Sequence, residues 1–156
     1  MRKQKGFSLI ELLIVVAIIL IIAAIAIPNL LRSRIAANEA SAVGSMRTLN
    51  TAEVTFASTY PDQGFTQNLG QLGGTGTSAN TSSALLIDSV LSSGTKSGYV
   101  FTYAPGLNTT PNPTYSTLAA PLILDQTGKR SFYSDASGVI RYNATGSATL
   151  SSSPLQ

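Results

Sequence analysis

An α+β fold is predicted, with a long N-terminal helix packed on a three- or four-stranded antiparallel sheet. Three observations predict it. Leu12 to Ile27 is an unbroken run of sixteen apolar residues. Beyond it Ala42, Met46, Leu49 and Phe56 recur at helical 3/4 spacing, interrupted only by Glu53. From Ser97 the period changes to two, and Tyr99, Phe101 and Tyr103 alternate with Val100 and Thr102.

The apolar run sets the first element. Phe7 to Ile27 spans 21 residues, roughly 31 Å as a helix, which matches a bilayer hydrocarbon core of about 30 Å. The twelve Leu, Ile and Val residues of Leu12–Ile27, at about −0.3 to −0.6 kcal/mol each, outweigh one acid at about +3 kcal/mol. That acid, Glu11, lies near an end of the span, where its penalty is smaller. Arg2, Lys3 and Lys5 precede the span and favour a cytoplasmic N-terminus. Three readings stay open: a plain anchor, a cleaved secretory signal ending at Ala24-Ile25-Ala26, or an anchor trimmed at its cytoplasmic end that also drives assembly.

Composition narrows the function. The 156 residues suffice for one modest domain, and only 11% are charged. The net charge of +3 resides in Arg2, Lys3 and Lys5; from residue 6 onward seven basic residues balance seven acidic ones. No basic face for nucleic acid is therefore expected from bulk charge. Histidine and cysteine are both absent. Disulfides, thiolate metal sites and most nucleophilic triads are thereby excluded. With its carboxylates scattered singly, the chain reads as a non-enzyme, and no catalytic, cofactor or metal-binding residue is assigned. Asp125 with Asp135, or Asp62 with Asp88, would be the candidates for calcium. Without a dense carboxylate loop they read as solvated turn residues.

Glu11 has two readings. Ser8-Leu9-Ile10-Glu11 fits the S-x-x-E capping box, with Ser8 as N-cap. The alternative asks what a carboxylate does when this helix packs against copies of itself: it needs a cation or a proton. Cleavage after Gly6 would give Phe7 a free amine one turn below Glu11. A staggered neighbour would then pair the two charges and fix axial register.

The N-terminal segment carries a resemblance. A short basic leader ends in Gly6. It is followed by Phe7-Ser8-Leu9-Ile10-Glu11-Leu12-Leu13 and, further on, by Ala23-Ala24-Ile25-Ala26-Ile27-Pro28. Over about residues 1–35 this resembles the type IV pilins and the related pseudopilins of type II secretion. The resemblance implies that a prepilin peptidase cleaves between Gly6 and Phe7 and that the Phe7 amine is N-methylated. It makes Glu11 the acid needed for methylation or subunit docking. It implies a single-pass inner-membrane protein, N-in and C-out, that later joins an extracellular homo-oligomeric helical filament through the pilus assembly machinery. DNA or surface ligands are further candidate partners of such a fibre. One departure is Leu20, where the family often has Gly. The rival functions are a type II secretion pseudopilin and an exported binding domain released after Ala26.

The remaining elements follow in order. Residues 1–6 are the expected leader and 7–28 the membrane and filament-core helix. Pro28 either kinks this helix or opens a second one at its first turn. Residues 29–60 form an amphipathic outer helix whose polar faces come from Arg32, Arg34, Asn38, Glu39, Arg47 and Asn50. Residues 61–96 are a Gly/Ser/Thr/Asn-rich connection, tacked down by Leu69 and Leu72, with a short helix over Ser83–Leu91. Gly73-Gly74-Thr75-Gly76 lacks the Lys-Ser/Thr and strand–helix frame of a phosphate loop. Residues 97–144 carry the sheet. Its clearest hairpin joins Arg130–Ser134 to Val139–Asn143 through Asp135-Ala136-Ser137-Gly138. Residues 145–156 read as a flexible tail. With no cysteine to close it, the C-terminal loop has only packing and hydrogen bonds to hold it.

Overall fold

A computed structural model describes residues 6–107 and 109–155; residues 1–5, where most of the expected leader falls, Asn108 and Gln156 lie outside this description. The chain divides into two compact units, one ending at Arg34 and the other running from Ile35. Helix α1, Leu9–Thr59, contributes to both. Within the first unit, the large aliphatic side chains from Leu9 to Ile27 are each 47–79% exposed. They surround the helix rather than forming a stripe, so this segment has no core of its own to cover it. It is long and apolar enough to cross a membrane. The helical assignment runs unbroken through Pro28. Proline lacks an N–H, so the carbonyl one turn back, at Ala24, loses its intrahelical donor there.

In the second unit the outer part of α1 supplies the core. Ala42, Met46, Leu49 and Phe56 are all buried, as their spacing predicts, and Val43 and Ala52 widen the stripe. They belong to one core cluster with Tyr99, Phe101, Ala119, Phe132 and Ile140. Leu69, Leu72, Ala84, Ile87 and Leu91 complete it. Each full burial of a large aliphatic or aromatic side chain contributes about 1.5–3 kcal/mol.

Among the described residues the sheet has six strands, not three or four: β1 Thr95–Lys96, β2 Tyr99–Pro105, β3 Tyr115–Pro121, β4 Ser131–Asp135, β5 Arg141–Asn143 and β6 Ser153–Pro154. They pair antiparallel in sequence order, as a meander. The two additional strands are the two-residue edges. β1 turns into β2 through Ser97 and Gly98, whose φ values of +51° and +74° suit a two-residue hairpin loop. β6 comes from the segment read as a flexible tail. Ser131 Oγ donates to Gly146 O and accepts from Ala148 N, and Leu155 N bonds Ile140 O at 2.8 Å. Local composition concealed these long-range bonds. The predicted β4–β5 hairpin is present. Asp135 Oδ1 accepts from Ser137 N at 2.9 Å, and Gly138 takes a φ of +73°.

Helix prediction over Ser83–Leu91 also needs correction. Only Ser89–Ser92 is helical (α3), with Asp88 as N-cap accepting Leu91 N at 2.9 Å. Residues 84–86 instead hydrogen-bond to the carbonyls of Gln71, Gly73 and Leu72, beside helix α2, Leu69–Leu72. That pairing satisfies backbone groups which a helix would otherwise have to satisfy internally.

Candidate functional site

The predicted processing and assembly residues cluster at the start of α1. Gly6, Phe7 and Ser8 precede the helix. Phe7 is 81% exposed, and a Cβ built at Gly6 meets nothing within 4 Å. The Gly6–Phe7 peptide is therefore not covered by other described residues. Glu11 Oε2 accepts the Ser8 N–H at 2.9 Å, and Ser8 O accepts Leu12 N at 3.2 Å. This is the Glu half of a capping box. It satisfies one of the four unpaired N–H groups that begin any helix. The cap engages one carboxylate oxygen and leaves Glu11 solvent-exposed. Local capping and a second, intermolecular partner are compatible. Leu9, Leu12, Leu13, Val16, Ala17 and Leu20 line a shallow apolar hollow on the same segment. Ala17 is the small residue in it, and a hollow of this kind accepts a side-chain knob from another helix.

Two carboxylates in the second unit are structurally committed, and sequence reading missed both. Glu39, assigned above to a solvated face, is only 7% exposed. Its Oε1 accepts Lys129 N at 3.0 Å and Arg130 N at 3.1 Å, and its Oε2 accepts Arg130 Nε at 2.8 Å. Burial pushes its pKa up, but the two backbone N–H groups and the Arg130 guanidinium outweigh this and hold it below the ordinary value. Arg130 also lies 5.6 Å from the ring centroids of both Phe132 and Tyr142. The neighbouring Asn38 donates to Thr127 O at 2.8 Å, and Asn50 donates to Ser134 Oγ at 2.8 Å and Gly138 O at 3.2 Å. Three of the six polar-face positions are therefore tie points to the sheet and its loops. Their partners lie 84–91 residues away, where no local pattern signals them.

Glu53, the one break in the apolar stripe, is fully buried. It accepts Thr66 N at 3.1 Å and Thr66 Oγ1 at 2.5 Å. Tyr103 Oη and Asn112 Nδ2 converge on Thr66 O at 2.8 and 2.9 Å. Burial raises the Glu53 pKa, and the Thr66 and Tyr103 hydrogen bonds offset it only in part. A carboxyl whose folded pKa is raised contributes most stability below its unfolded value of 4.5 and loses it as pH rises through the folded value. Thermal melts of the wild-type chain are expected to show Tm falling as pH rises above 4.5 through that value. In Glu53→Gln that fall should flatten, since the amide keeps an acceptor for Thr66 without a charge to bury. Parallel pH profiles for the two proteins would show the carboxyl to be uninvolved.

Of the acids considered for calcium, Asp88 caps α3 and pairs with Lys96 at 2.8 Å, while Asp125 pairs with Lys129 at 3.4 Å. Asp135 closes the β4–β5 turn. Each of these three has a local structural partner, and the described residues contain no group of three or more His, Cys, Asp or Glu arranged to hold a metal.

Comparison with known proteins bears on the N-terminal segment. A family model described as the prokaryotic N-terminal methylation motif matches residues 1–27. Over 39 residues the chain is 67% identical to the type IV wide pilus major component PilA4 of Thermus thermophilus, covering 25% of this chain and 30% of that protein. Over 56 residues it is 46% identical to the type IV major pilin protein PilA of Myxococcus xanthus, covering 36% of this chain and 26% of that protein. Each alignment thus spans less than a third of the relative's length. No solved structure matches the chain.

Proposed function

We propose that this chain, which carries the prokaryotic methylation motif at its N-terminus, is a structural subunit of a type IV pilus. The observation that carries the proposal is the match of residues 1–27 to that motif, together with Gly6, Phe7 and Glu11 standing at the head of an uncovered apolar helix. Prepilin peptidase would cut after Gly6, and the Phe7 amine would be methylated. Before assembly, α1 anchors the chain in the inner membrane with residues 29–156 outside. On assembly it exchanges lipid contacts for contacts with copies of itself. Both surroundings are apolar, so hydrophobic transfer changes little, and packing with polar pairing must supply the preference. The Phe7 amine of one subunit and Glu11 of its neighbour supply that polar pair. A head-to-tail contact that does not close produces an open helical fibre. Both relatives above are pilins by name, which favours a surface fibre over a pseudopilin.

Mass spectrometry of the native protein tests the processing step. The expected species begins at N-methyl-Phe7. A mature N-terminus at Met1 or Ile27 would overturn the proposal. Surface filaments seen by electron microscopy, and lost when the gene is deleted, separate a pilin from a secretion pseudopilin.

A further inference from the structure

Leu122, Ile123 and Leu124 are 58%, 48% and 61% exposed, three consecutive aliphatic side chains on the loop between β3 and β4. The loop is built rather than loose. Thr127 Oγ1 accepts Ile123 N at 3.0 Å, Thr127 N bonds Ile123 O at 2.9 Å, and Asp125 N bonds Gly128 O at 2.9 Å. Asn38 and Glu39 fasten it to α1 through Thr127, Lys129 and Arg130. A preorganised apolar knob loses little conformational entropy on docking. Exposed apolar patches of this kind mark interaction sites.

The same unit carries a groove of about 420 Å³ lined by Arg47, Thr48, Thr51, Ala52, Thr55 and Leu86. Its three threonine hydroxyls already donate to the carbonyls of Gly44, Arg47 and Thr51, one turn back. Aliphatic side chains can therefore cover this groove without orphaning a donor, the usual penalty for burying hydroxyls. Arg47 makes no ion pair with an acid among the described residues. The carboxylate of Asp125, which directly follows the knob, is engaged among the described residues only by an exposed pair with Lys129 at 3.4 Å. Exposed pairs of that kind hold weakly and exchange partners readily. The groove is displaced from the knob's anchor: Thr51 lies twelve residues beyond Glu39 on α1, roughly 18 Å along the axis. Two copies joined knob to groove would meet head to tail, which propagates instead of closing.

We infer that Leu122–Leu124 of one copy docks into the Arg47–Leu86 groove of another, with Asp125 pairing to Arg47 across the contact. The inference rests on the fibre-subunit reading and adds a second contact to the helix packing. Charge reversal in cells carrying the variant as their sole copy tests it. Asp125→Arg and Arg47→Asp each place like charges together, and each should lower filament yield at least about tenfold, whereas the double exchange should restore it. All these positions are exposed, so membrane levels of the protein should stay unchanged. The chain has no cysteine, so a second measurement is available. Ile123→Cys with Thr51→Cys in one chain should give a ladder of multimers with a short bis-maleimide, and neither single variant should. Normal filament yield from both reversals, or no ladder from filaments of the double-cysteine chain, overturns the contact alone. A wild-type chain that forms no filaments overturns the fibre reading, and this contact with it.

Discussion

Glu11→Ala is expected to insert into the membrane normally and to abolish fibre growth. Insertion improves, since a residue disfavoured by about 3 kcal/mol at a helix centre is replaced by a nearly neutral one. The lost cap on Ser8 N–H costs about 1 kcal/mol, too little to melt a 51-residue helix. Assembly is different. In the proposed fibre, where identical apolar helices would surround the processed N-terminus, a Phe7 ammonium without its carboxylate would be a buried unpaired charge, worth about 3–5 kcal/mol. That is a fall of more than 100-fold in the equilibrium for adding each subunit. Glu11→Gln separates the two readings of this residue. The amide oxygen still accepts from Ser8 N–H, so capping is kept and charge is lost. Fibres from Glu11→Gln at wild-type abundance would mean that the capping box accounts for Glu11. Absence of fibres from both variants, with normal membrane levels by immunoblot, is the result the paired-charge account requires.

What sequence could reveal here tracks how local each determinant is. The apolar run is self-announcing, because sixteen consecutive residues suffice to recognise a membrane-length helix. The stripe Ala42–Met46–Leu49–Phe56 is a property of one helix face and is buried as its period requires. Asp135-Ala136-Ser137-Gly138 specifies its hairpin within four residues. By contrast, β1 and β6 are two residues each, too short to show any period, and β6 contains Pro154. Proline is tolerated there because an edge strand has one unpaired side. Glu39, Asn38 and Asn50 looked like ordinary surface residues because a polar residue on a helix gives no sign of a partner in a distant loop. Glu53 did leave a trace, as the one carboxylate in a core register. A break of that kind in an otherwise apolar stripe is a usable signal for a buried polar node. The residues proposed for processing and docking are local in the same sense as the apolar run: Gly6, Phe7 and Glu11 fall within six residues.

Glu39→Ala is expected to produce the largest loss of stability among single changes to the polar ties. It removes three hydrogen bonds, leaving the N–H groups of Lys129 and Arg130 without an acceptor and the Arg130 guanidinium without its partner. The full cost of breaking a buried pair is about 3–5 kcal/mol, but Arg130 is 39% exposed and can turn to water. A loss of about 2–3 kcal/mol is the better expectation, equivalent to roughly 10 °C in Tm for a unit of this size. Melts of the full chain in detergent, followed through the near-ultraviolet signal of its tyrosines, provide the measurement. The pH dependence distinguishes the carboxylate's role from a simple packing defect. Because the Glu39 pKa is lowered on folding, its contribution is fully present above the unfolded value of 4.5 and disappears as pH falls through the folded value. The gap between wild type and Glu39→Ala should therefore be widest at neutral pH and close in acid, the reverse of the Glu53 profile. A gap unchanged between neutral and acid pH would place the loss in packing rather than charge. Because Glu39 also holds the Leu122–Leu124 loop against α1, the same variant should weaken the knob-to-groove contact before it unfolds the unit. Fibre yield should then fall at temperatures where the melts still show the wild-type fold.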